Sequence, residues 1–297
     1  MIGHREAEVP EALRTIADGR APAAKSRAAA GGPGESVLVL NSGSSSVKFA
    51  LLLPGSGERL MGGIGERLGT PEALLRVQWF PAAAVEERLP GGTHRTVVAR
   101  VLDHLAEAGH SGAHLLGAGH RVVHGGERFT SSIRVDDAVI AAVRSFSHLA
   151  PLHNPANLAG IEAVRAVLPD LPQVAVFDTA FHQTMPPHAF RYAVPEEWYT
   201  RYGVRRYGFH GISHRFVSEQ AAVVLGRPPG ELRLVTAHLG NGCSATAVRD
   251  GVSVDTTMGL TPLDGLVMGL APGMSIRACS ATWPAGPVWV STSSPGL

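Results

Sequence analysis

The pattern of apolar and polar positions along the chain predicts an α/β protein. Ordered structure is expected to begin at Ser36–Leu40, an apolar and β-branched run that stops at a turn of glycine and serine and resumes at Val47–Leu53. These two runs predict a β-hairpin with a polar tip. Apolar residues at helical spacing then predict helices over Thr96–Ala108, Asp136–Phe146 and Pro155–Val167.

A second hairpin is predicted further along. Strand patterns cover Gln173–Phe177 and Arg233–Gly240, and the second of these leads through a Gly-Asn-Gly turn into Ala245–Val248. An Asp250-Gly251 turn then precedes a strand at Val252–Thr256. This strand, glycine-rich tip and strand echo the first hairpin, which indicates two related domains.

Composition narrows the function classes. The chain has 297 residues, 44% of them hydrophobic and 17% charged, with a formal net charge of +1. A net charge this close to zero gives no electrostatic field that would attract nucleic acid or anionic lipid. Neither nucleic acid nor a membrane is therefore an expected partner. Cys243 and Cys279 are too few for a disulfide framework. Without a membrane-spanning apolar run or a secretory pattern over Met1–Glu8, the cytoplasm is the expected location.

The first hairpin tip carries candidate phosphate chemistry. Residues Asn41–Lys48 read Asn-Ser-Gly-Ser-Ser-Ser-Val-Lys. Glycine allows close backbone approach, amides and hydroxyls donate hydrogen bonds, and the ammonium of Lys48 neutralises charge. This is not a Walker A loop, because Lys48 lies in a strand pattern instead of opening a helix. An ordinary serine-rich turn explains the same residues.

The second tip, Gly240–Ala245, superficially fits a dinucleotide fingerprint. A strand follows it where the fingerprint requires a helix, so that interpretation fails. A second phosphate contact involving His238 and Asn241 and a plain tight turn both remain open.

Histidines and one aspartate are the other candidates. His210 and His214 have the spacing of a zinc pair on a helix, but Gly211 and the absence of a neighbouring Glu disfavour such a site. Asp178 directly follows the strand that ends at Phe177, where α/β sheets bind ligands. A helix N-cap is an equal alternative for Asp178.

Six segments, in this order, resemble the signature blocks of the acetate kinase family. They are Val39–Lys48, Gly119–Gly126, Ala150–Pro155, Phe177–His182, Arg206–His214 and His238–Gly242. The resemblance runs from about residue 37 to 269. It implies two related ribonuclease H-like α/β domains of the fold shared by acetate and sugar kinases, Hsp70 and actin. The expected division is an extension over 1–35, which offers at most a short helix around Pro10–Ala17, a first domain over 36–180, an incomplete second domain over 181–269, and a non-family tail over 270–297.

The resemblance also implies an activity, the reversible transfer of a phosphoryl group from ATP to acetate to give acetyl phosphate and ADP, with Mg²⁺ as cofactor. The resemblance implies that Arg121 binds the carboxylate and that His210 stabilises the transferring phosphoryl group. It also implies that Asp178 is an essential carboxylate and that Asn41 helps to place Mg²⁺. Residues matching the family's ATP-phosphate contacts are Ser44, Ser46, Lys48, His238, Leu239, Gly240, Asn241 and Gly242. Those matching its small apolar pocket for the methyl group are Val123, Leu152, Phe209 and Pro262. Propionate is a near alternative to acetate, and a homodimer is expected for the family.

The chain departs from the family after Gly269. The family continues Thr-Arg-Ser-Gly-Asp, whose arginine is a second transition-state clamp, but Ala271 stands in the arginine's place. If Leu270–Arg277 is written CTC GCT CCG GGG ATG TCG ATC CGG and one A is restored before it, the codons read Thr-Arg-Ser-Gly-Asp-Val-Asp-Pro. We therefore hypothesise a single-nucleotide deletion near Leu270, followed by out-of-frame peptide. Little kinase activity, poor solubility and a weakened dimer are expected, and a non-catalytic nucleotide- or phosphate-binding remnant is the alternative function.

Overall fold

The structure is a computed structural model that describes residues 35–108 and 114–268. The short helix expected around Pro10–Ala17 and the tail over 270–297 lie outside the described residues, as does nearly all of the predicted extension. Within the described ranges the chain is α/β, as the sequence predicts.

A mixed sheet of eight strands forms the larger part of the molecule, in the order β5-β4-β3-β2-β1-β6-β8-β7. Neighbours from β1 to β5 are antiparallel, whereas β6 is parallel to β1 and β8 is parallel to β6. The strands are β1 (Ser36–Ser42), β2 (Ser46–Leu52), β3 (Arg59–Glu66), β4 (Leu74–Trp79), β5 (Val85–Arg88), β6 (Leu115–Val122), β7 (Ile133–Arg134) and β8 (Gln173–Phe177).

The first predicted hairpin is confirmed, with Asn41 paired opposite Lys48 across β1 and β2. The glycine-rich strand β3 was not predicted from the sequence. A Cβ atom at Gly63 would lie 2.0 Å from the carbonyl oxygen of Arg76, so glycine is required there for β3 to pair between β2 and β4.

Helices cover one face of this sheet and bury its core. They are α1 (His94–Glu107), α2 (Asp137–Ser145) and α3 (Asn154–Val167), each within two residues of its predicted bounds. Alternate strand residues such as Leu38 and Phe49 pack with Val97 and Val101 of α1, while Phe177 packs in a second cluster with residues of α2 and α3. The apolar side chains that recur every second residue in the strands therefore pack against those that recur every three or four residues in the helices.

A three-stranded antiparallel sheet and shorter helices follow. They are α4 (Pro187–Phe190), α5 (Glu196–Tyr202), α6 (Gly211–Leu225), β9 (Arg233–Leu239), β10 (Cys243–Arg249) and β11 (Val252–Thr256), with β10 central. Both turn residues between β10 and β11, Asp250 and Gly251, have positive φ, as a two-residue Asp-Gly hairpin requires. Nowhere in residues 35–108 or 114–268 does a helix combine the length and the apolar character needed to cross a membrane.

Candidate active site

Three predicted site residues meet at one edge of the large sheet. Strands β1, β6 and β8 are parallel neighbours, so their carboxyl ends lie side by side. Asn41 lies at the end of β1, Arg121 lies at the end of β6, and Asp178 follows β8 directly. In open α/β sheets this edge is where ligands bind.

The side chain of Arg121 joins the other two. Its Nε atom donates to both carboxylate oxygens of Asp178 at 3.1 Å, Nη2 donates to Oδ2 at 2.5 Å, and Nη1 donates to Asn41 Oδ1 at 3.1 Å. The Asp178 side chain is 3% exposed, whereas that of Arg121 is 34% exposed. Burial lowers the pKa of Arg121, but the charge and hydrogen bonds of Asp178 outweigh burial and raise it. The guanidinium is therefore a permanent cation. Asp178 fixes its orientation from the buried side, and its other side is open to solvent.

This bonding decides between the two sequence interpretations of Asp178. The short 3₁₀ helix that follows, Ala180–Thr184, has Thr179 at its N-cap and no side-chain capping bond. The carboxylate of Asp178 is instead committed to Arg121, so the N-cap alternative is wrong.

Two buried asparagines of α3 hold the strand ends in place, and the sequence did not single them out. Asn157 accepts from the backbone N–H of Val123 at 2.9 Å and donates to the carbonyl of Ser42 at 2.7 Å, which ties β6 to β1. Asn154 exchanges two hydrogen bonds, 3.1 and 3.0 Å long, with the backbone of His124. The signal was an asparagine pair spaced i and i+3 within the first turn of a helix, where both face one side.

His210 approaches the same edge from the second half of the structure. It lies immediately before α6 with φ of 57°, a left-handed conformation that is uncommon for a residue with a side chain. The next residue, Gly211, donates its N–H to the carbonyl of Asp178 at 2.9 Å, and a Cβ atom on Gly211 would lie 2.2 Å from that oxygen. Glycine therefore permits the close approach that brings His210 beside Asp178.

Burial, followed by the neighbouring His238, lowers the pKa of His210 to about 4. His210 is therefore neutral at physiological pH. The imidazole rings of His210 and His238 stack with their centroids 4.0 Å apart. Its Nδ1 atom lies 2.9 Å from Ser244 Oγ, and the same hydroxyl lies 2.8 Å from Nε2 of His214.

The zinc interpretation of His210 and His214 finds no support. Both ring nitrogens of His214 are engaged by hydroxyl groups, Nε2 by Ser244 and Nδ1 by Thr236 at 2.8 Å. Among the described residues there is no cluster of three or more His, Cys, Asp or Glu side chains that could hold a metal ion.

The first predicted phosphate-binding tip is a closed turn with exposed polar groups. The first tip is closed by a bond from Gly43 N–H to the carbonyl of Ser46 at 2.7 Å, and it leaves Ser44 and Lys48 exposed. Lys48 is the strand partner of Asn41, whose side chain is bonded to Arg121. Hydroxyl and ammonium groups at these positions suit an anion.

The second tip lies against His210. Gly240 donates to the carbonyl of Gly242 at 3.1 Å, and a Cβ atom on Gly242 would lie 3.4 Å from Cε1 and 3.6 Å from Nε2 of His210. His238 is fixed by Ser213, 3.0 Å from its Nδ1. Leu239 and Asn241 are exposed. Strand β10 follows the tip, so the exclusion of a dinucleotide fingerprint is confirmed.

Two of the four predicted pocket residues come together. Val123 and Phe209, 3% and 1% exposed, form one apolar cluster with Met258, and Met268 packs against it. The carbonyl of Phe209 accepts from Nε2 of His182 at 3.0 Å. The other two pocket residues are not part of this cluster: Leu152 is 76% exposed and Pro262 is half-buried. The sequence had not singled out the two methionines.

Comparison with solved structures defines the class of protein. A propionate kinase from Francisella tularensis superposes with a TM-score of 0.78 at 44% identity, over 83% of this chain and 63% of that one. An acetate kinase from Porphyromonas gingivalis gives 0.77 at 43% identity, over 82% of this chain and 62% of that one. The chain therefore has the fold of acetate and sugar kinases.

Sequence comparison is more specific. The family model described as the acetokinase family matches residues 36–277. An acetate kinase from Deinococcus radiodurans is 57% identical over 236 residues, which are 80% of this chain and 59% of that protein. One from Pseudomonas aeruginosa is 52% identical over 242 residues. The chain belongs to the acetokinase family, and it spans about 60% of the length of these curated relatives.

Proposed function

We propose that this chain carries the carboxylate-binding and phosphate-binding part of an acetate kinase, which transfers a phosphoryl group between ATP and acetate to give acetyl phosphate and ADP. The main support is the hydrogen-bonded group formed by Asn41, Arg121 and Asp178, with neutral His210 beside it. Its membership in the acetokinase family supports the same activity.

The proposed chemistry needs charge neutralisation more than proton removal. Acetate is ionised at neutral pH, so the nucleophile requires no strong base. Two anions must be brought together, and the loose transition state spreads negative charge over the transferring phosphoryl group. Arg121 would hold the carboxylate with its solvent-exposed edge, while Asp178 fixes the guanidinium from the buried side. His210 would donate a hydrogen bond to the phosphoryl group.

The two hairpin tips would bind the ATP phosphates. The first offers hydroxyls and an ammonium, and the second offers backbone N–H groups next to His210. The residues proposed for this role are Ser44, Ser46, Lys48 and the loop from His238 to Gly242.

Mg²⁺ is the proposed cofactor, and the donor set is compatible with it. Magnesium in kinases is held mainly by substrate phosphates, waters and one or two protein oxygen ligands. Asn41 would provide an amide oxygen beside the first phosphate tip, whereas both carboxylate oxygens of Asp178 are bonded to Arg121. When bound, Mg²⁺ would neutralise charge on the phosphates.

Acetate and propionate differ by one methylene, which a small pocket discriminates by only about 10- to 200-fold. Val123 and Phe209 would contact the methyl group, with Leu152 and Pro262 proposed at its margin. Because Met258 and Met268 border the cluster and thioethers adapt to shape, propionate is a second candidate substrate. The solved propionate kinase that resembles this chain favours the same alternative.

Activity of the unmodified 297-residue chain is expected to be low. Ala271 stands where the family has an arginine, and an arginine clamp contributes about 10³ to 10⁵ in rate to phosphoryl transfer. A non-catalytic nucleotide- or phosphate-binding protein is therefore the competing function. We propose the cytoplasm as location and, for the frame-restored chain, a homodimer.

The test is acetyl phosphate formation from ATP and acetate with Mg²⁺, for the unmodified 297-residue chain and for a version with the frame restored at Leu270. Turnover by the restored version alone would support both the kinase and the deletion. Turnover by the unmodified chain would contradict the role assigned to the missing arginine. If neither turns over while ATP still binds in a calorimetric titration, the non-catalytic function is correct.

A further inference from the structure

A line of buried hydroxyls and imidazoles leads away from His210 into the second sheet. Ser244 Oγ lies 2.9 Å from Nδ1 of His210 and 2.8 Å from Nε2 of His214, and Nδ1 of His214 lies 2.8 Å from Thr236 Oγ1. Thr236, His214 and Ser244 are 4%, 1% and 0% exposed. Each polar atom in the line must therefore find its hydrogen-bond partner inside the protein.

The hydroxyl of Thr236 sets the direction of this line. Within the part of the chain that the structure describes, Nδ1 of His214 is the one group in hydrogen-bond contact with that hydroxyl. Thr236 therefore donates its hydrogen to Nδ1 of His214. Burial, followed by the charge of neighbouring histidines, lowers the pKa of His214 to about 3, so its ring is neutral and carries its single hydrogen on Nε2.

The remaining bonds follow in sequence. Nε2–H of His214 donates to Ser244 Oγ, so the Ser244 hydroxyl donates its own hydrogen to Nδ1 of His210. A neutral His210 with Nδ1 as acceptor carries its hydrogen on Nε2. The reverse direction would leave the Thr236 hydrogen without an acceptor, which disfavours it by roughly 5- to 150-fold.

We propose that Thr236, His214 and Ser244 are positioning residues that fix His210 as the neutral tautomer with its hydrogen on Nε2. The edge of the ring formed by Cε1 and Nε2 lies against Gly242, where a Cβ atom would lie 3.4 Å from Cε1 and 3.6 Å from Nε2, so the donor lies beside the second phosphate tip. No described residue hydrogen-bonds to this nitrogen. The ligand is an anion with phosphate oxygens, and this part of the inference rests on the proposed function.

The arrangement explains why a neutral histidine suffices. A tautomer locked by a buried chain of bonds offers its donor without reorganisation when negative charge develops, which is how preorganised donors stabilise transition states. A free imidazole would divide its population between two tautomers, one of which points a lone pair at the anion.

The test is a long-range ¹H–¹⁵N correlation spectrum of the histidine-labelled 297-residue chain at neutral pH, with signals assigned through His210→Gln and His214→Gln. We expect His210 Nε2 to be pyrrole-type and Nδ1 pyridine-type. In Thr236→Val, which keeps the shape but removes the donor, the two His210 nitrogen signals should move toward each other. Thr236→Ser should restore the wild-type positions.

Thr246→Val is the matched control, because this buried hydroxyl on β10 contacts Thr256 and no histidine. It should leave the His210 signals in place. A pyridine-type Nε2 in the unmodified chain, or identical His210 signals in Thr236→Val, would overturn the proposal. The spectrum needs no turnover, so the expected pattern without acetyl phosphate formation would count against the kinase function and leave the tautomer assignment standing.

Discussion

The ion pair between Arg121 and Asp178 should respond unequally to removal of its two members. The carboxylate of Asp178 is 3% exposed, and the guanidinium of Arg121 is 34% exposed. Replacing Arg121 by Met strands a carboxylate away from water. Replacing Asp178 by Asn leaves a cation that water can still reach.

The expected magnitudes follow from that difference. Loss of one partner of a buried pair costs about 3–5 kcal/mol, because the other charge is left uncompensated. Arg121→Met should therefore lower the free energy of unfolding by about 3 kcal/mol or more. Asp178→Asn should lower it by about 1–2 kcal/mol, since partial exposure screens the remaining charge. The double variant should recover part of the loss, with a coupling energy of about 2 kcal/mol.

The assay is urea denaturation of the wild type, both single variants and the double variant, followed by circular dichroism. The surface pair of Arg144 and Glu162, whose side chains are 63% and 48% exposed, is the matched control, with an expected coupling below about 1 kcal/mol. Equal losses for the two single variants, or a double variant whose loss equals the sum of the two single losses, would show that burial does not set the response of this ion pair.

Three further outcomes are expected. Asn157→Ala removes the side-chain partner of the Val123 N–H and of the Ser42 carbonyl. The free energy of unfolding, measured by urea denaturation, should fall by about 2–4 kcal/mol. No loss would contradict the role of Asn157 in tying the strand ends. Burial lowers the pKa of His182 to about 4, so below about pH 6.5 the unfolded state binds more protons than the folded state, and stability is lost as the pH falls toward 4. Urea midpoints measured from pH 7.5 to 5 should therefore fall less in His182→Gln than in the control His188→Gln, whose histidine is exposed. Equal midpoint curves for the two variants would exclude this linkage. Sequencing the gene through Leu270 should show the family's Thr-Arg-Ser-Gly-Asp in the neighbouring frame, and its absence would end the deletion hypothesis.

Much of the fold was accessible from the sequence because local signals agreed with tertiary structure. The period-two pattern placed β1 and β2, and the Asp250-Gly251 turn placed the hairpin between β10 and β11. Strand β3 was missed because its glycines oppose strand formation locally, and the need for glycine at Gly63 comes from the close approach of Arg76 and Phe49. A glycine that is required by a contact distant in sequence cannot be recognised from the local strand propensity.

Helix α6 was missed for a related reason. It begins at Gly211, a poor helix former, which is needed there because any side chain would collide with the carbonyl of Asp178. Asn41 was a candidate from the serine-rich tip and Asp178 from its position after a strand, whereas Arg121 was found through family resemblance. Their mutual bonding is new information from the structure. The positioning groups Asn157, Thr236 and Ser244 could not be found, because they act through partners distant in sequence.

In the proposed function, Arg121 binds the carboxylate during phosphoryl transfer. The most direct measurement is ATP formation from acetyl phosphate and ADP with Mg²⁺ by the frame-restored protein, compared with its Arg121→Ala and Arg144→Ala variants. We expect a loss of about 10³-fold in Arg121→Ala and unchanged rates in Arg144→Ala. ATP formation in Arg121→Ala at the rate of the unmodified protein would contradict the role proposed for Arg121.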